Sequence, residues 1–307
     1  VEAATGDGPL PAGCATWRDG RFETFGAPSF AKDLDALPDP DRTFLPAVRY
    51  GRAYLGVRYP HAPVVSSRGC GSFCPWCSGP AIAPLGFRAR SAERVADEVE
   101  RLVRDLGIRA VHFEDDAFLA DPDRANVLCE ALRRRRPGCV FELVNGVRPE
   151  HVVPPVLPAL AAAGFRRIAV GFERLADGEE TGAVSFARAR ECIDALHAHG
   201  IAATGFLVIG LPGTSRGQDE RSVDLAIRLG LDLAHFTPYE PIPGSECCPG
   251  PDVPNGPEED ARTLSQRAYR AFYRSPVTAA RVAFDALRSA ELLAGLTRKA
   301  VRLLLSS

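Results

Sequence analysis

Methionine is missing altogether from the 307 residues, and the first residue is Val. Short-range spacings therefore carry more weight here than long-range ones. Neither sign of charge dominates, since 37 Lys and Arg stand against 39 Asp and Glu. A near-neutral chain is not a polycation built to bind nucleic acid. No run of about 18 apolar residues occurs, so no membrane-spanning helix is expected. The opening VEAATGDGPLPAG lacks the basic-then-apolar order of a signal peptide. Nine cysteines without such a signal point to a reducing compartment, the cytoplasm, and away from disulfides. One local basic run, Arg133–Arg136, sits at the end of an expected helix, where cations favour the helix dipole.

From residue 64 onward, short apolar runs alternate with helical periods. VVSSRG (64–69) reads as a strand that enters a cysteine-rich loop. Residues 91–107 read as a helix with Ser91 as N-cap, Gly107 as its stop, and Val95, Val99, Leu102, Val103 and Leu106 on one face. AVHFE (110–114) is the next strand, and Asp121 then caps a helix with Pro122 at its first position. Strands at 140–145, 167–172, 204–210 and 232–236 alternate with a proline-broken helix at 149–164, a helix from Ser185 to Gly200, and a helix at 218–229. Such alternation implies an α/β fold with a parallel sheet and right-handed crossovers. Six units fall short of the eight of a closed TIM barrel, so an open, partial (β/α)6 TIM-like barrel is expected.

Three regions follow: an N-terminal extension or linker over 1–63, the partial barrel over 64–245, and a loop with C-terminal helices over 246–307. The last region offers apolar faces at Tyr269, Phe272, Val282, Leu287, Leu292 and Leu296, which suit packing against the barrel.

The stretch SSRGCGSFCPWCSG (66–79) holds Cys70, Cys74 and Cys77 in the spacing C-x3-C-x2-C. A structural zinc site usually takes four ligands, commonly as two pairs, and no matching pair lies at that spacing. Thiolates also hold iron–sulfur clusters. With an aromatic, Trp76, just before the third cysteine, and with a strand before the loop and a six-unit array after it, the chain resembles the radical S-adenosylmethionine (radical SAM) superfamily over roughly residues 40–245.

The resemblance implies that Cys70, Cys74 and Cys77 ligate a [4Fe–4S] cluster whose fourth iron takes SAM. An electron donor such as a flavodoxin or ferredoxin is then required. It also implies roles at strand ends. FEDDAF (113–118) offers Glu114, Asp115 or Asp116 to the SAM amine. GFER (171–174) offers Glu173, and Arg188 or Arg190 on the following helix would meet the SAM carboxylate. In GFLVIGLPG (205–213), Val208 and Ile209 would lie closest to adenine. PIPGS (241–245) resembles the stretch after strand six.

The wording DALPDPDR, RSAERVADEVE and RAYRAFYRSP is most similar to the branch that carries an N-terminal cobalamin-binding domain and often methylates unactivated carbons. No strand array with a D-x-H-x-x-G loop is read before residue 64. Epimerisation is the main expectation, with Cys248 or Cys247 returning a hydrogen atom, as in the aminoglycoside epimerase of neomycin-type pathways. The alternative is the catalytic domain of a cobalamin-dependent methyltransferase. For the cysteine pair the bland alternative is two incidental buried thiols or a labile vicinal disulfide. Glu114, Asp115, Asp116, Glu142, Glu173, Glu240 and Glu246 are all expected near the strands' C-terminal ends. That crowding favours a cationic small molecule such as an amino sugar.

Overall fold

The computed structural model describes residues 12–18, 21–27, 29–42, 60–72, 74–82, 86–248, 259–276 and 278–280. Six strands form one sheet: β1 (His61–Val64), β2 (Ala110–Phe113), β3 (Val140–Val147), β4 (Phe165–Glu173), β5 (Ala202–Ile209) and β6 (Leu233–Pro238). They lie in chain order across the sheet, each parallel to its neighbours. Helices α1 (Ala92–Leu106), α2 (Pro122–Arg135), α3 (Leu157–Ala163), α4 (Phe186–Ala198) and α5 (Arg216–Arg228) connect successive strands, and α6 (Glu259–Arg274) follows β6. Sequential order with same-handed crossovers puts the connecting helices on one face and curls the sheet around the other. Among the described residues β1 and β6 do not pair, so the barrel is open, as expected.

Local sequence explains most boundaries. Asp121 accepts from the Arg124 amide at 3.0 Å, and Pro122 supplies a preset first turn to α2. Ser215 and Gln218 form a reciprocal capping box, so α5 begins two residues before the expected 218. Gly107 ends α1 at φ 64° and Gly164 ends α3 at φ 108°, conformations that favour glycine. The proline-broken helix resolves into a single 3-10 turn (Pro149–His151) and α3. The first strand is displaced from expectation. β1 covers His61–Val64, and Ser67–Arg68 instead pairs antiparallel with Arg88–Ala89. β1 contains Pro63, tolerated because this is the sheet's edge.

The helix-covered face is apolar. Phe113, Phe118, Phe141 and Phe165 are at most 2% exposed, with ring centroids 5.0–5.8 Å apart. Each such ring contributes about 1.5–3 kcal/mol by burial alone. The basic run at the end of α2 is spent on its neighbour. Arg134 pairs with Glu93 at 2.5 Å, and Arg135 pairs with Asp97 at 2.5 Å and Glu100 at 3.0 Å, all on α1. An N-terminal strap also runs along α1. Asp39 pairs with Arg90, Arg94 and Arg101, and Arg42 pairs with Glu98 at 2.8 Å. These arginines hold the Asp39 carboxyl below its usual range against the opposing effect of burial.

Tyr269 and Phe272 of α6 pack edge-on against Phe236 of β6, with centroids 5.6 and 6.0 Å away. Val282, Leu287, Leu292 and Leu296 lie outside the described residues. Among the described residues no helix is long and apolar enough to cross a membrane.

Candidate active site

The three cysteines sit on the loop between β1 and α1, closed at its neck by the short Ser67–Arg68 ladder. Gly69, at φ 82°, passes against the Gly86 carbonyl where no side chain fits. Two carboxylates from the end of β2 hold this neck. Asp115, 3% exposed, accepts from the Ser66 amide at 3.2 Å, the Ser66 hydroxyl at 2.8 Å and the Ser67 hydroxyl. Burial pushes its carboxyl up, while the two serines and Arg124 work against that. Asp116 accepts from the Gly69 amide at 2.8 Å, one residue before Cys70. Arg124 completes the arrangement by donating to the Ser66 carbonyl and hydroxyl, both at 2.7 Å.

Each of the three sulfurs accepts one N–H. The Ser72 amide reaches Cys70 at 3.4 Å, the Gly79 amide reaches Cys77 at 3.2 Å, and Arg148 Nη1 reaches Cys74 at 3.6 Å. A tight turn joins Cys74 and Cys77 through their backbones at 2.9 Å. Three thiols, each given a donor, suit the sulfur-only ligand set of an iron–sulfur cluster with one open position, and suit a four-ligand zinc site poorly. Among the described residues no group of three or more His, Cys, Asp or Glu side chains stands in metal-ligating geometry. Trp76, between Cys74 and Cys77 in the sequence, is half-buried.

The other expected residues divide. Glu173 ends β4 in the left-handed region at φ 57°, spanned by a bond from the Arg174 amide to the Phe172 carbonyl at 2.6 Å. Such a conformation costs roughly 1 kcal/mol or more for a non-glycine residue. It folds the carboxylate back over Gly171, where a Cβ would lie 2.9 Å from Oε1. Burial pushes the Glu173 carboxyl up, with Arg148 opposing. Glu114 is half-buried and likewise pushed up, by burial and then by Asp115; its carboxylate takes no hydrogen bond among the described residues. Val208 is half-buried, whereas strand alternation turns Ile209, 1% exposed, into the helix-covered core.

Arg188 donates to the Pro149 carbonyl at 3.2 Å and to Glu191 at 3.3 Å. Arg190 is exposed, bound to Asp194 at 3.0 Å and to the Leu229 carbonyl at 3.4 Å, which fastens it to the end of α5. Glu142 corrects an expectation. It is the third residue of β3, paired in register with His112 and Arg167, deep in the sheet and away from the strand end. His112 Nε2 is 3.7 Å and Arg167 Nη1 4.0 Å from its carboxylate.

The loop after β6 reaches the cysteine loop directly. The Cys247 amide donates to the Pro75 carbonyl at 2.9 Å, between Cys74 and Cys77. Cys248 is 7% exposed and bridges to Ser245, whereas Cys247 is exposed. Tyr239 lies nearby; burial and then the two thiols push its hydroxyl up. That hydroxyl is buried without a hydrogen-bond partner among the described residues. Sequence reasoning missed Arg148, Arg124 and Ser66. The Arg-Pro that follows the apolar run of β3 was the available signal for the first.

Residues 64–226 match the Radical SAM superfamily, and the chain belongs to that family. The family uses a [4Fe–4S] cluster and SAM. Among curated relatives, an uncharacterized methyltransferase of Pyrococcus horikoshii is 28% identical over 217 residues, which is 70% of this chain and 46% of the relative. The cytidylyl-2-hydroxyethylphosphonate methyltransferase of Streptomyces wedmorensis is 27% identical over 235 residues, 71% of this chain and 43% of the relative. The chain thus spans less than half the length of these relatives. Among solved structures, the radical SAM methyltransferase TsrM of Kitasatospora setae, with cobalamin and a [4Fe–4S] cluster bound, superposes with a TM-score of 0.54 at 22% identity, over 60% of this chain and 38% of that one.

Proposed function

We propose that this chain is the catalytic portion of a radical SAM methyltransferase of the cobalamin-dependent branch. The observation that carries this reading is that both curated relatives described above are methyltransferases by name, matched over 70% and 71% of this chain. Cys70, Cys74 and Cys77 would hold the cluster, and Glu114, Glu173 and the half-buried faces of Trp76 and Val208 would receive SAM. When bound, the cluster and SAM would supply one-electron chemistry able to activate an unreactive carbon–hydrogen bond. The chain's part is to keep that step dry and aligned. The three N–H donors fix the sulfurs, Asp115 and Asp116 fix the loop, and the Cys247–Pro75 bond covers it from the side. The required electron would come from a flavodoxin- or ferredoxin-type donor.

A second reading is epimerisation of an amino sugar, with Cys248 or Cys247 returning the hydrogen atom. One observation supports it: the Cys247 amide donates to the Pro75 carbonyl, so the backbone that carries the cysteine pair meets the cysteine loop. The charge argument for a cationic substrate is weaker than the sequence implied. Asp115 and Asp116 are engaged by the loop, and Glu142 lies deep in the sheet.

An anaerobic turnover in heavy water tests both, with SAM, a low-potential reductant, methylcobalamin, and a panel of cytidylylated hydroxyalkylphosphonates and neomycin-type aminoglycosides. A methyl-sized mass gain together with S-adenosylhomocysteine is expected. A gain of one mass unit with 5′-deoxyadenosine and no methylation would overturn the first reading in favour of the second.

A further inference from the structure

We propose that Arg148 is a positioning residue for the cluster, acting through the sulfur of Cys74 to raise the cluster's reduction potential. The inference rests on reading Cys70, Cys74 and Cys77 as the cluster's ligands, and it holds for either reaction above.

Arg148 directly follows β3 and precedes Pro149, which confines it to an extended backbone at φ −73° and ψ 140°. Two neighbours fix its side chain and its base. Glu150 accepts from its Nε, and Arg188 grips the adjacent Pro149 carbonyl at 3.2 Å. This leaves Nη1 free to reach Cys74 Sγ at 3.6 Å, across 74 residues of sequence. The other two sulfurs take their N–H bonds from backbone amides two residues on. Cys74 alone of the three takes its bond from a fixed positive charge. A guanidinium keeps its charge throughout the physiological range. A charged donor on a ligand sulfur favours the more negative, reduced form of a cluster, and so raises its potential. Glu150 tempers the effect by neutralising part of the charge, and Glu173, also close to Cys74, adds to that tempering. Arg188, which the sequence offered to the SAM carboxylate, becomes the strut beneath Arg148.

The test is an anaerobic redox titration of the full chain, reconstituted with iron and sulfide and followed by electron paramagnetic resonance, with iron counted per chain. Arg148→Gln is expected to titrate at a more negative potential than the wild type, with Arg148→Lys between them. Glu150→Gln is expected to move the opposite way. Variants that load iron to the wild-type level and titrate together with it would overturn the proposal. If Arg148→Gln fails to load, Glu150→Gln decides: an upward shift supports the proposal and an unchanged potential overturns it. A wild-type chain that holds no four-iron cluster would overturn the ligand reading and this inference with it, an outcome visible before any variant is made.

Discussion

Gly69 lies against the Gly86 carbonyl at the neck of the cysteine loop, at φ 82°, with no room for a Cβ between them. Gly86 also has a positive φ, 68°, yet a Cβ there meets nothing within 4 Å. The two glycines therefore predict different outcomes. Gly69→Ala must push the loop's entry away from its exit and disturb the placement of Cys70. Iron retained after anaerobic reconstitution is expected to fall below roughly half the wild-type level. Gly86→Ala carries only the left-handed backbone cost of about 1 kcal/mol and is expected to keep most of its iron. Equal iron content in the two variants would show that the crossing does not shape the loop.

Asp115 gathers three donors in a site only 3% exposed. Removing the acceptor leaves the Ser66 amide and two hydroxyls short of partners in low dielectric, and takes a compensating charge from the Arg124 guanidinium nearby. Asp115→Ala is expected to cost roughly 3 kcal/mol, read as a lowered urea midpoint. Asp115→Asn retains one acceptor oxygen and is expected to lose about half as much. Midpoints equal to the wild type in both would mean the serines find water instead.

The sheet also predicts a pH dependence away from the cysteines. His112 is faced by His61, whose ring stacks at 4.5 Å, by Glu142 at 3.7 Å and by Arg167 beyond it. Burial, then His61 and Arg167, lower its pKa to about 4. The unfolded chain takes up the proton from about pH 6.5 downward, and the folded chain resists until about 4. Stability from this site is complete above 6.5 and is lost as pH falls toward 4, by on the order of 3 kcal/mol. His112→Phe should flatten that part of the profile in urea unfolding of the apo chain. Parallel profiles for variant and wild type would refute the assignment.

The six strands were readable because parallel strands covered by helices form continuous apolar runs, as in TGFLVIG, bounded by turn residues. What escaped was whatever depended on register or on partners far along the chain. Glu142 looked like a strand-end carboxylate because β3 runs to Val147, two residues beyond the expected end. The first strand was placed too late because VVSSRG begins apolar, whereas the ladder to β2 is made by His61–Val64. Asp115 and Asp116 were legible as a strand-end pair. Their commitment to Ser66 and Gly69, 49 and 47 residues upstream, had no local signature. Arg148 had a local cue in the Arg-Pro after β3, but its reach to Cys74, 74 residues upstream, had none.

The nine thiols themselves should separate by reactivity. Burial pushes Cys129, Cys139 and Cys192 up to about 12, so almost none of each is thiolate at pH 8. Cys77 and Cys247 are exposed. In the apo chain, iodoacetamide at pH 8 is expected to modify Cys77 and Cys247 within minutes and to leave Cys129 and Cys192 untouched until the chain unfolds. Reconstitution with iron and sulfide should then protect Cys77, together with Cys70 and Cys74, while Cys247 stays open to attack. Peptide mass mapping before and after reconstitution reads both halves. Protection that extends to Cys247 would place it among the cluster's ligands. Protection that spares Cys77 would remove Cys77 from them.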